Sequence, residues 1–306
     1  MPKKILITGA SGFIGSHLAK KCLKEGHSVN VFLRGNSDLW RIEDVIKDLN
    51  VYNLSLYEEG KIREAIKEIK PEIVFHFASA IASSFKTSMG DDISSNIIGT
   101  WNLLSSLYSQ DYELFINAGS SSEYGLKTQP MKEEDLLEPN SVHSFSKVAQ
   151  TLMCKTYLNI QKKPIVTLRL FSVYGPYERQ NRLIPMVVKN CIEEKKINLS
   201  SPKVARDFIY VDDVVDLCLD FNRFFGLEGE IINIGTGVQS TIEQVVNMVF
   251  DITGKKVECI WDKDKRLWDT ETWVADCSKA KRLLDWEYKI NLREGLEKTI
   301  NWMKNV

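Results

Sequence analysis

"ITGASGFIGSHLAK", residues 7–20, decides how the rest of the chain is read. It sets Gly9, Gly12 and Gly15 between an apolar run, "KKILITGA", and a segment, "IGSHLAKKCLKEG", whose apolar positions recur at helical spacing until Gly26. Gly9 permits a tight turn, Gly12 lets the backbone approach a pyrophosphate, and Gly15 lets the helix pack on the strand. Amides around Phe13 and Ile14 then face the anion from the helix N-terminus, with Ser11 in the same loop. An accidental glycine turn would need neither a strand before it nor a helix after it. The stretch predicts a dinucleotide site.

Working outward, the first half alternates apolar runs with helical segments: "SVNVFLR", then "KIREAIKEIKPE" halted by Pro71, then "IVFHFAS". A long helix is expected through "SSNIIGTWNLLSSLYS", followed by strand "ELFINAGS", helix "SFSKVAQTLMCKTYLNIQ" and strand "PIVTLRLF". Such alternation requires right-handed crossovers and predicts an α/β fold, a doubly wound parallel sheet of Rossmann type. Beyond about residue 172 the pattern loosens into a smaller C-terminal α/β lobe. The expected division is 1–171 for the dinucleotide and 172–306 for the substrate, with some strands in 207–237 returning to the main sheet. No linker rich in Pro, Gly or Ser separates the lobes, so a ligand cleft is expected where they meet.

With 40 basic and 41 acidic residues, the net charge of −1 gives no general attraction to nucleic acid or anionic membrane. No apolar run approaches a bilayer span, and "MPKKILITGA" enters a strand too early for a signal peptide, so a cytoplasmic location is expected. The six cysteines are scattered without a CxxC pair and the four histidines form no ligand-spaced cluster, which predicts reduced thiols and no metal.

The end of the second strand selects the cofactor. An acidic residue there would bind the ribose hydroxyls of NAD, but "VFLRGNS" offers Leu33 and Arg34, with Ser37 and Arg41 nearby. Nothing repels a 2′-phosphate and a guanidinium can bind it, so NADP(H) is preferred and NAD(H) remains the other option. The plainer alternative makes Arg34 a solvated loop residue.

With these pieces placed, the chain resembles the extended short-chain dehydrogenase/reductase family, in its NAD(P)-dependent nucleotide-sugar epimerase/dehydratase branch. "TGASGFIGSHL", "PEIVFHFAS", "NIIGTWNLL", "AGSSSEYG", "LRLFSVYGP", "RDFIYVDDVV", "NIGTG" and "ADCSKAKRLLDW" follow one another in the family's order. The resemblance implies that Asn53, Leu54, Phe77, Ala78 and Ser79 join Gly9–Gly15 and Arg34 around the cofactor. It implies that Ser120 hydrogen-bonds the reacting sugar oxygen, with Ser121 and Ser122 able to share that work. Lys147 matches the lysine that holds the nicotinamide ribose and lowers the pKa of the neighbouring acid/base. Arg206 and Arg266 match arginines that bind the nucleotide diphosphate, and Ser172 stands where the family more often has asparagine. Family members commonly pair through two helices each, which implies a homodimer.

The larger departure lies in "NSVHSFSKVAQ", residues 140–150, where His143 occupies the place of the family's tyrosine, four before Lys147. Imidazole can exchange protons near neutrality, and beside Lys147 a neutral ring donating one N–H is expected. Three readings follow: His143 is the acid in a ketone reduction, it positions substrate while another group moves the proton, or catalysis is lost. The leading expectation is NADPH-dependent reduction of a CDP-, dTDP- or GDP-linked 4-keto-6-deoxy sugar for surface polysaccharide. Epimerases and dehydratases with atypical acid/base residues are the runner-up, and a dinucleotide-binding protein without turnover is the non-enzymatic alternative.

Overall fold

The structure, a computed structural model, describes residues 1–80, 93–262 and 269–305. The chain divides into two compact units: Met1–Glu123 with Ser141–Arg169 and Val215–Ile232, and Tyr124–Asn140 with Leu170–Val214 and Asn233–Val306.

The first unit is built on β1 (Lys4–Thr8), β2 (Ser28–Leu33), β3 (Asn50–Asn53), β4 (Ile73–His76), β5 (Leu114–Ser120) and β6 (Ile165–Leu170). All four residues of β4 and all six of β6 are buried, as expected of strands covered on both faces. β1 pairs in parallel with β2 and β4, β2 with β3, and β4 with β5. With a later strand, β10 (Ile231–Ile234), at its edge, the sheet has seven strands, and the doubly wound parallel α/β arrangement read from the sequence is the one that forms. The strand order reverses between β1 and β4, and their C-terminal ends form the crevice where such sheets bind ligands.

Helices α1 (Phe13–Lys24), α2 (Glu59–Ile69), α3 (Gly99–Ser106) and α4 (Val142–Gln161) complete the unit. The stop at Pro71 holds: α2 ends at Ile69, with Lys70 left-handed at φ 49° as its C-cap. The helix expected through 94–109 differs. It opens with a π turn, Ser94–Ile98, before α3 begins. The wide turn carries the fully buried Asn96, a polar residue that helical spacing alone would not single out.

The second unit holds β7 (Ser172–Tyr174), β8 (Ile197–Leu199), β9 (Ala205–Tyr210), β11 (Gln239–Thr241) and β12 (Cys259–Trp261). β9 lies between β7, parallel, and β11, antiparallel, while β12 pairs with β8. Of the segment 207–237, Ile231–Ile234 joins the seven-stranded sheet, whereas β9 does not. Phe208 and Tyr210 of β9 are buried in a separate core with Tyr174, Val187, Val245 and Leu296. Among the described residues no helix is long and apolar enough to cross a membrane.

Candidate active site

The loop between β1 and α1 is shaped by its glycines. Gly9 has φ +81°, and a Cβ there would meet the Ala78 nitrogen at 2.6 Å. A Cβ on Gly15 would lie 2.1 Å from the Gly9 carbonyl oxygen, so helix and turn touch backbone to backbone. Gly12 caps α1 with no side-chain hydrogen bond and is exposed. A helix N-terminus uncapped by any side chain, above a turn too close-packed for Cβ atoms, fits a pyrophosphate.

The other residues expected around the cofactor gather at the same sheet edge. The Phe77 amide donates to the Thr8 carbonyl at 3.1 Å and the Ala78 amide to Thr8 Oγ1 at 3.3 Å; Ser79 follows. The Leu54 amide donates to the Leu33 carbonyl at 2.9 Å, which places Asn53 and Leu54 beside the end of β2. Arg34 is exposed in a turn closed by Ser37, whose Oγ accepts from the Arg34 amide at 3.0 Å. Arg41, by contrast, is buried; its Nη1 donates to the Ser11 carbonyl at 3.4 Å and its guanidinium lies 4.4 Å from the Trp40 ring centre.

β5 delivers the serines. Ser120 ends the strand, and its Oγ lies 2.8 Å from Ser122 Oγ and accepts from the Ser122 amide at 3.1 Å. Ser121 opens the short helical turn that follows and is buried. Glu123, wholly buried, accepts from the Ser120 amide at 2.8 Å, from Thr151 Oγ1 at 3.1 Å and from Arg169 Nε at 2.9 Å.

α4 delivers Lys147 and His143. Its N-terminus is a capping box in which Ser141 and Ser144 satisfy each other's amides. Lys147 Nζ donates to the Ala118 carbonyl and to Gln150 Oε1. Burial lowers its pKa to about 8, against the opposing pull of the Glu123 charge. One turn earlier, His143 Nδ1 lies 3.3 Å from the Ala80 carbonyl oxygen. A carbonyl only accepts, so Nδ1 carries the proton and, in the neutral ring, Nε2 carries the lone pair. The N–H expected for substrate is thus directed to the backbone. Ser120, Lys147 and His143 are brought to the C-terminal ends of β4 and β5, the edge shared with the glycine loop.

In the second unit, Arg206 of β9 stacks 4.9 Å from the Trp273 ring centre and donates to the Ala205 carbonyl at 2.6 Å. Burial lowers its pKa to about 10, Asp269 opposes the shift and Arg182 adds to it. A half-buried guanidinium in electrostatic reach of a second one suits a multiply charged anion. Ser172 starts β7 and is half-buried, and Arg266 lies outside the described residues.

The family model described as "NAD dependent epimerase/dehydratase family" matches residues 5–235. The chain belongs to this family. It is 30% identical to the UDP-glucuronate 4-epimerase of Thermodesulfobacterium geofontis over 98% of this chain and 95% of that one. Among solved structures it resembles the UDP-glucuronic acid 4-epimerase of Bacillus cereus with UDP-glucuronic acid and NAD, at TM-score 0.89 and 26% identity, covering 98% of this chain and 99% of that one. It also resembles the UDP-glucose 4-epimerase of Thermotoga maritima with UDP-glucose, at TM-score 0.90 and 26% identity over 98% of both chains.

As a member of an NAD-dependent epimerase/dehydratase family, the chain shows three buried groups that motif reading passed over. Asn96 lies inside "NIIGTWNLL" and Glu123 inside "AGSSSEYG", and both are fully buried. His76, inside "VFHFAS", is fully buried between Thr8 Oγ1 and Thr100 Oγ1, each at 2.7 Å. Burial, with Lys147 adding, lowers its pKa to about 3 and keeps it neutral. Of the three, only His76 carried a sequence signal, a polar residue within the apolar stretch "IVFHFA".

Proposed function

We propose that the protein interconverts a hydroxyl-bearing carbon and its ketone on a nucleotide-diphosphate sugar, with His143 as the acid/base. The observation that carries this reading is the Nδ1 contact to the Ala80 carbonyl, which makes Nε2 the nitrogen able to take a proton. As the sugar C–H electron pair leaves the carbon, the hydroxyl proton passes to Nε2 and the C=O bond forms. Return of the hydride to the opposite face of that carbon, with the proton going back from Nε2 to the oxygen, yields the epimer. Ser120 hydrogen-bonds the reacting oxygen, with Ser121 and Ser122 sharing that contact, and Lys147 supplies a buried cation. The dinucleotide, held by Gly9–Gly15, Asn53, Leu54 and Phe77–Ser79, supplies the hydride acceptor and donor when bound. Arg206, with Ser172 and Arg266, binds the sugar nucleotide's polar groups. UDP-hexoses and UDP-hexuronates are the first substrates to test, because relatives named for them cover nearly the whole chain.

A second reading is favoured by Leu33 and Arg34: NADPH-linked reduction of a CDP-, dTDP- or GDP-linked 4-keto-6-deoxy sugar for surface polysaccharide, with the His143 imidazolium as donor. The two are separated by incubating the protein with each sugar nucleotide and either dinucleotide. Epimer formed without net cofactor consumption supports the first, and stoichiometric NADPH oxidation with a 4-keto sugar the second. Neither outcome removes both.

The protein acts in the cytoplasm as a homodimer. The pairing face is the surface of α3 and α4 around a concavity of about 490 Å³ lined by Trp101, Tyr108, Met153, Tyr157 and Ile160. Trp101, Tyr108 and Ile160 are exposed by 53%, 55% and 67%, an apolar patch that a second copy would cover.

A further inference from the structure

Asn96 holds the backbone of one residue, Ala80, at both its amide and its carbonyl. Its Oδ1 accepts from the Ala80 amide at 3.0 Å, and its Nδ2 donates to the Ala80 carbonyl at 3.2 Å and to Ser146 Oγ at 2.9 Å. A flipped carboxamide would set donor against donor and acceptor against acceptor, so the orientation is fixed by its neighbours. The Ala80 carbonyl is the one that receives His143 Nδ1, and Ser146 Oγ donates to the His143 carbonyl at 2.8 Å. Asn96 therefore grips both the acceptor of the ring N–H and the helical turn that bears the ring.

The grip is anchored from behind. The Asn96 carbonyl accepts from Thr100 Oγ1 at 2.7 Å. That hydroxyl has a single proton, so His76 Nε2 donates to Thr100, and His76 Nδ1 accepts from Thr8, the residue before Gly9. A neutral, fully buried chain of hydrogen bonds runs from the end of β1 to the Asn96 main-chain carbonyl. The π turn at Ser94–Ile98 carries Asn96 in that inward position.

We propose that Asn96 is a positioning residue that selects the tautomer of His143: by fixing the Ala80 carbonyl it holds the proton on Nδ1 and sets the lone pair on Nε2. The inference rests on the reading of His143 as acid/base, but its test does not depend on turnover. Unconstrained neutral histidine favours the proton on Nε2, so the structure calls for the minority tautomer.

The test is two-bond ¹H–¹⁵N correlation on the full chain labelled at its four histidines, with His143 assigned by loss of its signals in His143→Gln. Above the ring's titration, wild-type His143 is expected protonated on Nδ1. Asn96→Ala is expected to lower the Nδ1–H to Nε2–H ratio by roughly tenfold, the effect of one net hydrogen bond. Asn96→Asp, which keeps the acceptor and loses the donor, is expected to act likewise and serves if Asn96→Ala does not fold. A wild-type ring protonated on Nε2 overturns the inference, as does an unchanged tautomer in a folded Asn96 variant. Failure of the acid/base reading looks different: full turnover in His143→Gln with the wild-type tautomer still on Nδ1.

Discussion

Arg169 and Glu123 form an ion pair, Nε to Oε2 at 2.9 Å, with side chains exposed by only 2% and 0%. The same carboxylate receives the Ser120 amide, so the pair braces the strand end that carries the serines. Breaking a buried pair from one side strands a charge in a poorly solvating interior. Glu123→Ala is therefore expected to cost about 3–5 kcal/mol in denaturant unfolding. Glu123→Ala with Arg169→Met should recover a large part of that loss; a double variant no better than the single would remove the pair as the cause.

Gly15→Ala tests the phosphate loop. Its Cβ would sit 2.1 Å from the Gly9 carbonyl, and neither backbone has room to retreat. Dinucleotide affinity should fall at least tenfold, with stability lowered by about 1–3 kcal/mol, read by calorimetric titration and thermal melting. Gly60→Ala, where a Cβ meets nothing within 4 Å, is the control expected to leave affinity unchanged.

Lys147 carries a pH signature. Burial lowers its folded pKa from 10.5 to about 8. Below pH 8 both folded and unfolded chains hold the proton and the cost of burying the charge is fully present. Between pH 8 and 10.5 only the unfolded chain binds it, so stability rises with pH by up to about 3 kcal/mol from this group. Lys147→Met should lose that rise, seen in unfolding midpoints across the window. Turnover by the wild type should fall as pH climbs through 8, since the cation that supports the reaction is lost.

Arg34 bears on cofactor choice. Arg34→Asp places a carboxylate where a 2′-phosphate would lie and should weaken NADP binding by roughly tenfold or more, while NAD binding is maintained or improved. Fluorescence titration with both dinucleotides checks it. Unchanged NADP affinity would assign Arg34 to solvent.

Ile160→Glu tests the pairing face. Ile160 is 67% exposed on α4, so the change should hardly disturb the isolated chain. On the proposed pairing, light scattering should show two-copy particles for the unchanged protein and monomer for the variant at micromolar concentration, since a charge in an apolar interface must be desolvated without a partner.

Much of the fold could be read from local pattern. The apolar runs in β1 and β4, the glycine triplet and the stop at Pro71 each reflect backbone sterics or burial acting over a few residues. β3, only four residues long with an exposed pattern, gave no such signal, and the π turn interrupted a helix that spacing alone read as continuous. Ser120, Lys147 and His143 could be placed by motif order, but not the groups that hold them.

The sequence by itself determined the alternation of apolar strands with helices in its first half, the glycine loop and the presence of an imidazole at position 143, because each depends on neighbours along the chain. Which nitrogen of that imidazole faces a backbone carbonyl was decided only by the tertiary structure. Ala80 and Asn96 lie 63 and 47 residues before His143, and a hydrogen bond selects a tautomer only once folding has brought its acceptor within reach.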